Sequence, residues 1–348
     1  MRRYARTLVA VALATTVVTG TAGWASENAQ QALTGPPPGT ASWRADHALG
    51  RELPDPGRST PAEVARFFRG LTAAQQQALV VRHPLVVGNL DGVPVELRYR
   101  ANALSLRAGH DPRYAHLGEG RGRQILAFDP RGRGQVAEVF GDLRTARHVA
   151  VVVPGSDIDA GTFDRTKDVY GTPTGMAKAL YARTGPGSAV IAWAGYTTPV
   201  GLGIDAATGS LAEAGADRLA RFTDGLAADG MPAPAVFCHS YGSVVCGLAA
   251  SRLRATDLVV LGSPGMRADD VADLRTGARV WAAKDATDWI GNVPNVEVAG
   301  LGHGPDPAAP EFGARRVPAD DARGHTGYFA PGTDSLRAFA AITEGKAR

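Results

Sequence analysis

The sequence is short of sulfur, of net charge and of long apolar runs. Only two cysteines and four methionines occur among 348 residues. Neither cysteine lies near the N-terminus, which argues against a lipid-anchored lipoprotein. The net charge is +3, and no block of lysine and arginine stands out after the first six residues. Nucleic acid is therefore not an expected partner. The longest apolar run, in "MRRYARTLVAVALATTVVTGTAGWAS", extends from Leu8 to Val18, too short for a comfortable membrane span. Arg2, Arg3 and Arg6 precede it, and Gly23 and Ala25 have the spacing that signal peptidase cleaves. Residues 1–25 thus read as an export signal whose removal leaves no membrane span, with an uncleaved anchor as the alternative. Hydrophobic residues make up 44% of the chain, enough for a folded protein of one large or two modest domains.

An exported chain meets an oxidising compartment, secreted or in the cell envelope. There an even cysteine count favours a bridge. Cys238 and Cys246 are within bridging range if the first ends a strand and the second lies on the helix crossing it. The alternative is two small buried thiols between strand and helix.

Residues 26–59, with "LTGPPPGTASW", read as a flexible Pro/Gly-rich arm. Order begins at "STPAEVARFFRGL", where Thr60 caps, Pro61 opens a helix and Glu63 completes a capping box. Thr72 and Gln75 repeat the device, and that helix runs to His83, before Pro84. With a further helix from about Pro94, residues 60–120 form a helical N-terminal extension. From residue 121 to 348 the texture changes. "RQILAFD" and "QVAEVFGDL" predict a hairpin across "PRGRG". "HVAVVVPG" is a continuous apolar strand of the buried parallel type. The strands "SAVIAWAG", "PAVFCH", "DLVVLGSPG" and "ARVWAA" then alternate with helices at "SLAEAGADRLARFTDGLAA", "YGSVVCGLAASRLR" and "DDVADLRTG". "GARRVPA" is a possible last strand and "TDSLRAFAAITEG" a closing helix. This alternation predicts an α/β fold with a mostly parallel sheet covered by helices on both faces.

"AVFCHSYGSVVCGL" puts Ser240 at an abrupt strand-to-helix turn. Such a turn exposes a serine hydroxyl above the sheet and needs small residues two before and two after it. Gly242 meets that need; Cys238 replaces the usual glycine. The helix behind Ser240 aims free N–H groups at the reacting centre, and the Tyr241 amide is the natural first oxyanion donor. "VVVPGSDIDAG" supplies a second, the N–H of Ser156, with Gly155 allowing close approach. The chain order Ser, Asp, His then requires an acid after a later strand and a histidine after that. Asp285 and Asp288 compete in "KDATDWIG", and Asp288 is favoured by the apolar step Trp289-Ile290 that follows it. His303 and His325 both follow a glycine. His325 is favoured because it lies just before the final helix; His303 could instead shape the mouth of the site. Trp193 and Tyr196, at the same sheet edge, are candidate pocket residues, though Trp193 could be plain core. Asp157, Asp159 and Asp164 depart from a calcium loop at Gly161, so no metal site is expected.

With "VVVPGS", "AWAGYTTP", "CHSYGSVVCG", "LGSPGM", "GLGHGPDP" and "GHTGYF" in this order, the chain resembles a family of bacterial α/β-hydrolases long described as a domain of unknown function. The resemblance covers roughly residues 60 to 345. It implies the α/β-hydrolase fold and a triad of Ser240, an acid after "VWAA" and His325. The expectation is an exported serine hydrolase acting on an ester or lipid through an acyl-enzyme, with no cofactor. The contrasting expectation is a binding or envelope protein that kept the fold without the chemistry; a peptidase or acyltransferase would use the same chemistry.

Overall fold

The computed structural model describes residues 29–119 and 122–347. The expected export signal lies outside the described residues. Ten strands occur among them: β1 (Gln124–Asp129), β2 (Gln135–Phe140), β3 (His148–Val153), β4 (Ser188–Ala194), β5 (Ala235–His239), β6 (Asp257–Leu261), β7 (Arg279–Ala283), β8 (Glu297–Val298), β9 (Leu301–Gly302) and β10 (Arg315–Arg316). Eight form one sheet in the order β1-β2-β4-β3-β5-β6-β7-β10, and β8 and β9 form a separate hairpin. β2 runs antiparallel to both β1 and β4, and the remaining neighbours are parallel. Every residue of β4, β5 and β6 is buried, as strands covered on both faces require.

The helices Ser210–Ala228 and Gly242–Ala249 cover one face of the sheet, and Pro173–Thr184 and Asp334–Thr343 cover the other. The alternation of side chains along β5 feeds both layers. Val236 and Cys238 face the first, Phe237 the second. This is the α/β-hydrolase fold, with a helical N-terminal region built on its own apolar cluster of Trp43, Val64, Phe68, Leu79, Val87 and Leu97. Both capping boxes close, Thr60 with Glu63 and Thr72 with Gln75, each contributing about 1 kcal/mol to its helix. β3 lies between β4 and β5, so the chain leaves it in both directions. The carboxyl ends of β3 and β5 therefore flank a crevice, where open α/β sheets place their ligands.

Three local expectations are corrected. Residues 29–59 are not a loose arm: the Leu33 N–H donates to Thr197 Oγ1 at 3.0 Å, and Trp43 is fully buried with its indole N–H on the Pro54 carbonyl at 2.8 Å. Pro84 does not merely stop a helix. It occupies the first position of a new one, Pro84–Asn89, where its missing N–H costs nothing. "DDVADLRTG" is not helical, because its own carboxylates take the backbone donors: Asp273 Oδ2 accepts from the Asp269 N–H and Asp270 Oδ1 from that of Asp273.

Candidate active site

Ser240 follows β5 directly, with φ at 54°, a left-handed conformation that costs a residue with a Cβ roughly 1–2 kcal/mol. Its N–H donates to the Leu261 carbonyl at 3.0 Å, and its own carbonyl accepts from the Ser243 N–H at 2.9 Å. The bend is held from two sides. A Cβ on Gly242 would stand 2.7 Å from the Pro154 carbonyl oxygen, so only glycine lets the helix start that close to the chain leaving β3. On the other side Cys238 and Cys246 form a fully buried disulfide, with Cα atoms 6.4 Å apart, that ties the strand to the helix. The elbow thus tolerates cysteine where glycine is usual.

The loop after β3 abuts the serine. A Cβ on Gly155 would lie 2.6 Å from Ser240 Cβ and 3.1 Å from the Tyr241 nitrogen. The backbone that continues into half-buried Ser156 is therefore pressed against the nucleophile candidate and the first amide of its helix.

Asp288 and His325 meet, with Nδ1 of the imidazole 2.8 Å from Asp288 Oδ1. The Asp288 side chain is fully buried. Its Oδ1 also accepts from the Ile290 N–H at 2.9 Å, and its Oδ2 from the Tyr328 hydroxyl at 2.6 Å. Burial disfavours the charged carboxylate. The hydrogen bond and charge of His325, then the Tyr328 hydroxyl and the Ile290 amide, outweigh it and hold the carboxyl below its ordinary value. The Nδ1–H on His325 is thereby fixed, leaving Nε2 as the basic nitrogen. Gly262 makes room for the pair: a Cβ there would stand 2.9 Å from Asp288 Oδ2 and 3.1 Å from the His325 ring. Asp285, the competing acid, is buried and engaged elsewhere. Its Oδ1 accepts from Thr287, through both amide and hydroxyl, and from the Gly324 N–H at 3.3 Å. It shapes the loop that presents His325.

His303 does not join this cluster. Its Nε2–H donates to the Ala206 carbonyl at 2.7 Å, and its ring stands edge-on to Tyr241 at 5.6 Å. Burial pushes its pKa down. Trp193 and Tyr196 lie together at the carboxyl end of β4. Both are buried and stacked on each other at 6.1 Å. Tyr196 still bears on the site, since its hydroxyl donates to the Pro154 carbonyl at 2.7 Å and so braces the loop before Gly155. Asp159 and Asp164 pair with Arg133 and Arg123, and Asp157 Oδ1 accepts from the Gly201 N–H. Among the described residues no His, Cys, Asp and Glu side chains are grouped to hold a metal ion.

Two neighbours of the pair escaped the sequence reading. Tyr328 caps the acid, and His239, the residue before Ser240, packs its ring 4.6 Å from that of His325. The one sequence signal for Tyr328 is its place in "GHTGYF", three residues after the histidine.

Comparison with known proteins bears on the same region. Residues 129–298 match the model of a family described as alpha/beta hydrolase. The chain is 30% identical over 375 positions to the uncharacterized protein Rv2079 of Mycobacterium tuberculosis, a match covering 84% of this chain and 57% of that one. It thus spans little more than half the length of that relative. Among solved structures, the esterase PE8 aligns at 14% identity over 61% of this chain and 98% of its own, with a TM-score of 0.39. Est1E from Butyrivibrio proteoclasticus aligns at 12% identity over 65% and 100%, with a TM-score of 0.35.

Proposed function

We propose that the chain is a serine hydrolase that cleaves ester-type bonds through an acyl-enzyme, with Ser240 as nucleophile, His325 as base and Asp288 as its partner. The observation that carries this reading is the pairing of His325 with the fully buried Asp288 at 2.8 Å, with the His325 ring 4.6 Å from that of His239, the residue before a serine held in a left-handed bend. In the first step Ser240 Oγ bonds to the carbonyl carbon and its proton passes to His325 Nε2. The negative charge on the former carbonyl oxygen is met by the Tyr241 and Ser156 amides; one such donor is worth about 3 kcal/mol in the barrier. The C–O bond to the alcohol then breaks, and the alcohol leaves with the proton from His325. Water repeats the sequence on the acyl-enzyme, releasing the acid and restoring the serine. Asp288 stabilises the imidazolium without taking its proton.

The surroundings favour an apolar ester. Four of the eight large hydrophobic residues exposed among the described residues are Val200, Leu202, Ile204 and Trp289. Val200, Leu202 and Ile204 ride on a loop fixed at both ends of the oxyanion region. The Asp157 N–H donates to the Pro199 carbonyl at 2.9 Å, and the Tyr241 hydroxyl to that of Thr208 at 2.8 Å. Trp289 packs on the His325 ring at 4.6 Å. Exposed apolar residues on a loop tied to the segments that flank Ser240, and against the His325 ring, suit an acyl chain or a lipid.

A fluorophosphonate probe tests the chemistry. Labelling of the protein that vanishes in Ser240→Ala supports it; a protein that never labels is a binding module on the same fold. Chromogenic esters of increasing acyl length test the apolar surroundings: kcat/KM rising with chain length is expected, and a preference for acetate overturns that part. The buried disulfide supports an oxidising, extracytoplasmic location. Two free thiols in protein isolated from its native cell would refute it.

A further inference from the structure

His239, the residue just before the nucleophile, touches neither substrate nor reacting atoms in the mechanism above, yet it is buried against the base. Alternation along β5 sends the Cys238 side chain into one helical layer and the His239 side chain into the other, the layer that holds Tyr328 and Phe329. There His239 Nε2 lies 2.7 Å from the backbone carbonyl of His325, 86 residues away in sequence. A carbonyl only accepts, so Nε2 carries the hydrogen and donates it. The two imidazoles lie 4.6 Å apart, and the Tyr328 ring stands 6.4 Å from that of His239.

We propose that His239 is a positioning residue: its Nε2–H latches the backbone of the loop carrying His325, so that the strand that ends in the nucleophile also fixes where the base stands. The inference rests on the serine-hydrolase reading for its catalytic consequence, though the latch itself does not. The groups facing His239 are the His325 ring, the Tyr328 ring and, behind them, the Asp288 carboxylate. A neutral ring is what a latch beside a base requires, because a second cation there would disfavour the imidazolium that forms during turnover. Burial, and then the proximity of His325, hold His239 neutral, with its pKa lowered to about 3. Asp288 fixes the base through its ring; His239 fixes it through its main chain. The pairing of the two explains how a histidine on a loop between turns holds one orientation.

Two variants separate the roles. His239→Leu keeps apolar volume and removes the donor; His239→Gln restores an N–H at similar reach. The first measurement is hydrogen exchange of the amides from Gly324 to Gly327, which needs no activity. Faster exchange in the leucine variant, reversed in the glutamine variant, is expected; unchanged exchange in both overturns the latch. The second is the rate and final stoichiometry of fluorophosphonate labelling. The leucine variant should label to full stoichiometry but about a hundredfold more slowly, the scale of an ångström misplacement of a reacting group, and the glutamine variant should recover at least about tenfold of that loss. A wild-type rate in the leucine variant, or reduced stoichiometry at an unchanged rate, overturns the positioning role, the latter marking simple misfolding. Altered exchange in a protein that never labels would refute the hydrolase reading and leave the latch standing.

Discussion

The loops that carry His325 and His303 differ less in sequence than in what meets the ring. Both histidines follow a glycine, and both are largely shielded from solvent. His325 presents Nδ1 to a buried carboxylate, which fixes the tautomer and frees Nε2. His303 spends Nε2 on a main-chain carbonyl, and burial, with the Arg267 charge, pushes its pKa down against the opposing effects of that hydrogen bond and of Glu297. Its Nδ1 is left buried without a hydrogen-bond partner. An acid beside it is what equips a ring to serve as a base; a similar ring without one is a strut.

The sharpest way to break this comparison is to exchange the losses. His325→Ala should lower kcat/KM on a soluble ester by about 10⁴-fold, whereas His303→Ala should cost less than about tenfold. Comparable losses would erase the distinction. Asp288→Asn should also approach a loss of about 10⁴-fold, because the amide favours the wrong tautomer. Asp285→Asn should instead act on loop order, lowering stability by roughly 1–3 kcal/mol with a smaller loss of rate, read by thermal melting beside kinetics.

Tyr328→Phe sits lower on the scale. Loss of a hydrogen bond to a buried carboxylate should destabilise the protein by roughly 1.5–3 kcal/mol. The depressed carboxyl of Asp288 contributes stability above its unfolded value that is lost as pH falls through its folded one. Without the hydroxyl the folded value rises, so acid unfolding should begin at higher pH; an unchanged acid transition would show that the hydroxyl is incidental. The effect on stability that is smallest at neutral pH belongs to His239. Between its ordinary value of 6.5 and its folded value of about 3 the unfolded chain binds the extra proton. Native stability should therefore fall with pH across that window, by on the order of 3 kcal/mol at pH 4. His239→Gln should lack this component, and identical stability curves for the two proteins from pH 7 to 4 would contradict it.

Much of this was legible in the sequence because it is local. Capping boxes, buried strands and the serine bend are written within a few residues, and the spacing of the two cysteines allowed their bridge. The acid and base were narrowed to two candidates each by chain order alone. What stayed hidden depends on contacts across the fold. The Tyr328–Asp288 bond spans 40 residues and the His239–His325 contact 86, and no periodicity encodes either. Trp193 and Tyr196 were read from their place at a strand end. Their burial depends on the helix Ser210–Ala228, whose Phe222 packs on Trp193 and whose Gly215 abuts Tyr196, which that place does not reveal. The composition of residues 29–59 suggested looseness, yet one tryptophan and a few main-chain bonds fix them.

That last segment reaches the loop that follows β4, beside the candidate site. The Gln30 N–H donates to Asp205 at 2.6 Å and the Leu33 N–H to Thr197 at 3.0 Å, at either end of the loop that bears Leu202. A shortened protein starting beyond residue 34 would cut both moorings. Where an expression tag is fused and where a protease trims thus become choices about substrate access as well as about yield.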